Sequence, residues 1–221
     1  MKMTCDLFQE VIIVDEGCPV FLTIEKQDVL YALVKIIYSE INGNEGEMVF
    51  SEDSGIIKAS KKVELITSFI PFELNEKRLI NRIIAFMESV SLDEEHFNET
   101  MVMMSNIEKF VMELSESLSF DISCENISVA SLLKMSGIII SDDSICEIEK
   151  IWNYVSAVNE LLGEKFFIFV NMSAFFNEAD MQLFVDLLIK HNCYVLFIEN
   201  KEYPIIQGTK KLIIDRDLCI I

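Results

Sequence analysis

The chain has 221 residues, 51% of them hydrophobic, and carries 37 acidic against 18 basic side chains for a formal net charge of -19. This supports one or two packed domains and, taken alone, argues against nucleic acid as a partner. No apolar run approaches bilayer-spanning length, and the start, MKMTCDLFQE, lacks a signal peptide's apolar stretch, so a cytoplasmic protein is expected. Six scattered cysteines (Cys5, Cys18, Cys124, Cys146, Cys193, Cys219) show no paired spacing and read as reduced, small apolar side chains.

Val11-Ile12-Ile13-Val14 and Val20-Phe21-Leu22-Thr23-Ile24 read as strands around a Gly17-Cys18-Pro19 turn. A helix follows over about 27–41, with Val29, Leu33, Ile36, Ile37 and Ile41 on one face and Asn42-Gly43 as its stop. Met48-Val49-Phe50 and Val63-Glu64-Leu65-Ile66 read as short strands. Asn75 then caps a helix striped by Leu79, Ile80, Ile83, Ile84, Met87 and Val90. A second long helix after Asp93 carries Ile107, Phe110, Val111, Leu114 and Leu118, and a third over about 128–135 stops at Gly137. Three such helices predict a hairpin or small bundle. Met87, Met101, Met103, Met104 and Met112 fall here, and gap-filling between helices is preferred over a partner-binding methionine surface.

Ile138-Ile139-Ile140 reads as a strand, and a helix from about Ser144 to Leu162 holds the single tryptophan, Trp152. Phe166–Val170 and Tyr194–Ile198 are short apolar runs rich in aromatic and β-branched residues, as in strands buried on both faces. Between them, Asn177 is a good N-cap, with Leu183, Phe184, Leu187 and Leu188 at helical spacing. This is a βαβ unit with parallel strands. Leu212–Ile214 and Leu218–Ile221 close the chain as two short strands around Asp215-Arg216-Asp217. The expected organisation is an α/β domain over 1–68 and 141–221, interrupted by a helical domain over 69–140.

Parallel α/β sheets bind ligands at the carboxyl ends of their strands, so the chemistry there is decisive. A phosphate-binding loop needs GxxxxGK[ST]. The glycines, Gly17, Gly43, Gly46, Gly55, Gly137, Gly163 and Gly208, are never followed by lysine. Where such a machine places a magnesium-binding aspartate, this chain has Asn171. His96 sits among acids and His191 at a helix end, neither within a zinc or triad motif. Glu199-Asn200-Lys201 after an apolar strand is a weak nuclease-like pattern, since the preceding acids Asp180 and Asp186 lie on a helix.

Four segments together carry a resemblance: Phe166 to Phe176, FFIFVNMSAFF; Tyr194 to Lys201, YVLFIENK; Ile70 to Ile84, IPFELNEKRLINRII; and Ile214 to Ile220, IDRDLCI. In order and spacing they resemble the accessory spacer-acquisition protein family of type II-A CRISPR systems. The resemblance implies a degenerate P-loop or RecA-like, partly parallel sheet domain with an inserted, extended α-helical domain. It implies no catalysis, a homotetrameric ring around double-stranded DNA ends, and calcium bound by acidic residues. It also implies the CRISPR integrase and effector nuclease as partners in spacer acquisition. Asp121 and Glu125 match acidic positions of the family. Ser117, Ser119, Ser123 and Asn126 fall where relatives tend to have carboxylates, which should weaken a calcium shell unless Glu113 and Glu116 compensate.

For DNA, composition alone points to the basic stretch Lys58, Lys61, Lys62, Lys77, Arg78 and Arg82, which holds six bases against three acids over 58–82. Four copies of a modest patch reconcile an acidic subunit with phosphate binding. Two other readings stay open: a protein-only scaffold for the adaptation machinery, and a metal-dependent nuclease at Glu199 and Lys201.

Overall fold

The computed structural model describes residues 1–44, 46–123, 127–141, 143, 146–219 and 221. Its strands are Lys2–Cys5 (β1), Phe8–Ile13 (β2), Val20–Ile24 (β3), Met48–Glu52 (β4), Gly55–Ile57 (β5), Val63–Ile66 (β6), Phe166–Val170 (β7), Tyr194–Glu199 (β8) and Lys210–Ile214 (β9). Its α-helices are Gln27–Ile41 (α1), Ala59–Lys62 (α2), Lys77–Ser91 (α3), Phe97–Ser115 (α4), Val129–Met135 (α5), Glu147–Leu162 (α6) and Glu178–Lys190 (α7). The chain divides into two compact units, Met1–Phe72 with Ser144–Ile221, and Glu73–Asp143.

The first unit is mixed α/β and holds two sheets. One is antiparallel, in the order β2-β1-β4-β5, and the other parallel, in the order β6-β7-β8-β3-β9. Burial explains the division. Along β2, Phe8 and Ile12 are buried while Val11 and Ile13 are exposed, the two-residue period of a sheet with one covered face. Every residue of β3 and β7 is buried, as expected of parallel strands covered on both faces. The two strands around Gly17 are therefore no hairpin, because the chain passes there from one sheet to the other. The turn requires its glycine: φ is +63°, and a Cβ would stand 3.0 Å from Asn192 Oδ1.

The parallel strands and the cap of the βαβ unit form as its sequence predicts, but the buried face of α7 differs, since Leu183 is exposed. Asn177 Oδ1 accepts from the Asp180 N–H at 3.0 Å, capping α7, whose Met181, Phe184, Val185 and Leu188 are buried. Phe21 stacks on Phe197 at 4.4 Å, Phe169 lies 5.5 Å from Phe197, and Phe184 meets Phe169 edge-on at 5.4 Å. Truncating one such buried ring costs about 3–5 kcal/mol. Leu218, Cys219 and Ile221 are in no strand, although Ile213 and Ile221 exchange two backbone hydrogen bonds of 2.9 Å; Ile220 lies outside the described residues. Helix α6 starts at Glu147, and the expected start, Ser144, lies outside the described residues.

The second unit differs more from expectation. Helix α3 packs on α5, with Leu79 and Ile84 buried. Ser128 caps α5 by accepting from the Ser131 N–H, and Gly137, with φ +64°, follows its end. In α4 only Met104 is buried, while Phe110 is 58% and Leu114 61% exposed. Met87, Met101, Met103 and Met112 are exposed as well. Among the described residues, Met104 alone of these methionines is buried, and Phe110, Val111, Leu114 and Leu118 of the stripe stay exposed. Asn75 does not cap α3, whose N-cap, Glu76, makes no side-chain cap bond. Its amide instead takes both backbone groups of Ile140, and Ile138 to Ile140 form no strand.

Candidate functional site

The carboxyl edge of the parallel sheet is built by the ends of β3, β7 and β8. Strand β3 reaches α1 across Glu25 and Lys26 alone, too short a junction for a glycine-rich phosphate loop. Beyond β7, Asn171 adopts φ +55°, a conformation asparagine tolerates. Its N–H donates to Ile198 O at 2.8 Å, and its Oδ1 accepts from the Asn200 N–H at 3.0 Å. The Asn171 amide and backbone therefore tie the ends of β7 and β8 together.

Glu199, the last residue of β8, is 1% exposed. Its Oε1 accepts from the Ser173 N–H at 3.0 Å and from the Ser173 hydroxyl at 2.8 Å. Burial raises its carboxyl above the usual range, and the two Ser173 bonds pull the other way. Lys201 Nζ lies 5.0 Å from the centre of the Tyr203 ring. A nuclease centre needs further acids beside this one, and among the described residues no three His, Cys, Asp or Glu groups gather to hold a metal. Thr23, Ser173 and Tyr203 surround Glu199 without any signal in the sequence, because no motif spans their separation along the chain.

The basic residues divide between the units. Lys58 and Lys61 are exposed around α2, while the half-buried Lys62 stands 3.7 Å from Glu52. Lys165 is buried in this unit and donates from Nζ to the Lys61 carbonyl. In the helical unit Lys77, Arg78 and Arg82 are exposed, and Arg78 Nε meets Glu76 at 2.6 Å. Surface pairs of this kind contribute at most about 1 kcal/mol.

Glu113, Glu116, Ser119 and Asp121 share the lining of one open concavity of about 710 Å³ after α4. Glu113 pairs at 3.9 Å with Lys109, and the Ser117 hydroxyl donates to Leu114 O at 3.2 Å. Glu125 and Asn126 lie outside the described residues. A calcium ion takes six or more oxygens. Glu113, Glu116 and Asp121 border this one concavity, and among the described residues no group of three His, Cys, Asp or Glu side chains is gathered closely enough to hold a metal ion.

One titratable pair begins α4. Asp93 Oδ1 accepts from the backbone N–H groups of Glu95 and His96 and lies 2.8 Å from His96 Nδ1. These bonds lower the Asp93 carboxyl, and the carboxylate raises the His96 imidazole. His191 is the C-cap of α7, its ring 4.8 Å from that of Trp152. No helix among the described residues is long and apolar enough to cross a membrane.

Comparison with known proteins bears on this arrangement as a whole. The family model described as CRISPR-associated protein (Cas_Csn2) matches residues 40–218. The CRISPR-associated protein Csn2 of Enterococcus faecalis is 25% identical over 229 aligned positions, covering 100% of this chain and 98% of the relative. Csn2 of Streptococcus agalactiae is 24% identical over 207 positions, covering 90% and 89%. Among solved structures, Stu0660 of Streptococcus thermophilus shares the fold with a TM-score of 0.57 at 14% identity, over 94% of this chain and 70% of that one. With a family match over most of its length and relatives aligned nearly end to end, the chain belongs to the Csn2 family of CRISPR-associated proteins.

Proposed function

We propose that the protein is a non-catalytic, sequence-independent binder of double-stranded DNA ends that works as a ring-shaped homotetramer during CRISPR spacer acquisition. Family membership supports the adaptation role. The observation that carries the assembly is α4, whose Val102, Phe110, Leu114 and neighbouring Leu118 are exposed on a long helix. Soluble proteins rarely leave so much apolar surface uncovered, and copies of the same chain would cover it.

DNA contact is assigned to Lys58, Lys61, Lys62, Lys77, Arg78 and Arg82, as phosphate contacts that hold the duplex without reading bases. The integrase and effector nuclease of the same system are the proposed protein partners, in the cytoplasm. Calcium is proposed with weak dependence, because no group of three metal-ligating side chains gathers among the described residues and several positions near Glu113, Glu116 and Asp121 carry serine.

Gel shifts on linear and circular duplex, with a salt titration and light-scattering mass, test the reading. Binding to linear duplex that weakens with salt, at a mass of four chains, is expected. Failure to bind linear duplex at low salt, with and without calcium, would sink the DNA claim. The net charge of -19 favours a second reading, a protein-only scaffold that recruits the adaptation machinery. A monomeric or dimeric mass without DNA affinity would support it.

A further inference from the structure

The antiparallel sheet carries exposed apolar side chains on its outer face. Strand register puts Ile13, Lys2, Ser51 and Ile56 in one row across all four strands, and Thr4 beside Val49 in the next. Val11 stands two residues before Ile13 on β2 and so joins the same face. Val11 is 48%, Ile13 47%, Val49 43% and Ile56 81% exposed. The opposite face holds Met3, Phe8, Ile12, Met48 and Phe50, all buried, so the core of the sheet uses none of the outer four. β2 is also an edge. It pairs with β1 alone, and its sequence FQEVII holds neither the lysine nor the proline that commonly protects an edge. Such an edge presents unpaired N–H and C=O groups, a template for one more strand.

Charge decides what that strand is. Thr4 and Val49 of the outer face also line an open concavity of about 330 Å³ with Asp6, Glu10 and Glu47, and no basic side chain stands in its wall. Lys2, in the first row, is matched by Asp53 at 3.3 Å. A second copy of the chain, itself at -19, is the poorer occupant, because like charges repel across an interface.

We propose that the β2 edge and this face dock an extended segment of another protein, with apolar side chains at alternate positions and a lysine or arginine at one end. The backbone of the segment extends the ladder past β2. Its apolar side chains lie beside Val11 and Ile13, and its cation enters the concavity of Asp6, Glu10 and Glu47. The surface uses neither the stripe of α4 nor the lysines assigned to DNA, so it stands or falls apart from the reading above.

The test uses the full chain, labelled for amide NMR, and capped synthetic peptides of alternating valine and threonine. One peptide ends in two lysines and its counterpart in two glutamates. The lysine peptide should shift the amides of Phe8 to Ile13 with saturation and slow their exchange, and salt should weaken it. The glutamate peptide should bind about tenfold more weakly or worse. Glu10→Lys together with Glu47→Lys, both at exposed positions, should reverse that preference, and Val11→Asp should weaken both peptides. The peptide comparison needs no variant, so a variant that fails to fold leaves the test standing. No saturable shift on β2 with either peptide would overturn the proposal. Equal affinity for the two peptides would do the same, as would a preference that survives the charge reversal. β2 amides already protected in the free chain, with a solution mass that drops in Val11→Asp, would assign the face to a second copy and overturn it as well.

Discussion

Asn75 and Ile140 form a two-bond clasp inside the helical unit. The Asn75 side-chain amide donates to the Ile140 carbonyl at 3.2 Å, and its Oδ1 accepts from the Ile140 N–H at 2.7 Å. One side chain thereby plays the part of a strand neighbour and joins the two ends of the inserted segment. Asn75→Ala removes both bonds at a half-buried place and should cost about 1–3 kcal/mol. Amide exchange is the sensitive measurement. The Ile140 N–H should lose protection while the strands of the parallel sheet keep theirs.

Glu40 gives a second clear prediction. It is buried, and its Oε1 accepts from the N–H groups of Gly46, Glu47 and Met48 at 2.8, 3.1 and 3.3 Å. The carboxylate thus fastens the return from α1 into β4. Glu40→Ala leaves three backbone donors without this acceptor and should destabilise the protein by about 2–3 kcal/mol. Glu40→Gln retains an acceptor oxygen and should lose less. Urea unfolding of the two variants checks the order.

The start of α4 should be pH-sensitive in both directions. His96 is raised above its ordinary value of 6.5 by Asp93, so its contribution is present below that value and is lost as pH rises through the folded value. Asp93 is lowered below 3.8, so its contribution is present above that value and is lost as pH falls through the folded value. Order at Phe97 to Thr100 should therefore be greatest between the two. NMR titration of His96 should show a midpoint above 6.5 that falls in Asp93→Asn.

The assembly reading makes Leu114→Lys informative. The side chain is 61% exposed, so monomer stability should change by no more than about 0.5 kcal/mol. If copies bury this stripe, the solution mass should drop below four chains while the circular dichroism spectrum stays unchanged. An unchanged mass would remove α4 from the interface.

Reversing the charge of Lys58 and Lys61, both exposed, tests the DNA assignment. Linear-duplex affinity should fall for every sequence tried. The salt dependence of log K should flatten by about 0.9 for each phosphate that is no longer neutralised. An unaltered slope would mean that these lysines face solvent in the bound state.

Much of the fold is legible because local period reports local environment. The span of α1, the Asn177 cap and the parallel pairing of β7 with β8 follow from residues close together in the chain. β1 and β5 are not legible, since four polar-flanked residues and a Gly-Ile-Ile run carry little signal. Asn75 misleads because an asparagine before an apolar stripe has the sequence of a cap, whereas Ile140, its actual partner, lies 65 residues away.

Sequence by itself determined the family, the missing phosphate loop and the alternation of strands with helices. Tertiary structure alone decided that β2 and β3 belong to different sheets, that Phe110, Val111, Leu114 and Leu118 stay exposed, and that Glu199 is enclosed with one oxygen unmet. The reason is the range of the forces involved. Element type depends on neighbours two to four residues away. Burial and hydrogen-bond satisfaction depend on groups the fold brings from far along the chain, and periodicity carries no record of them.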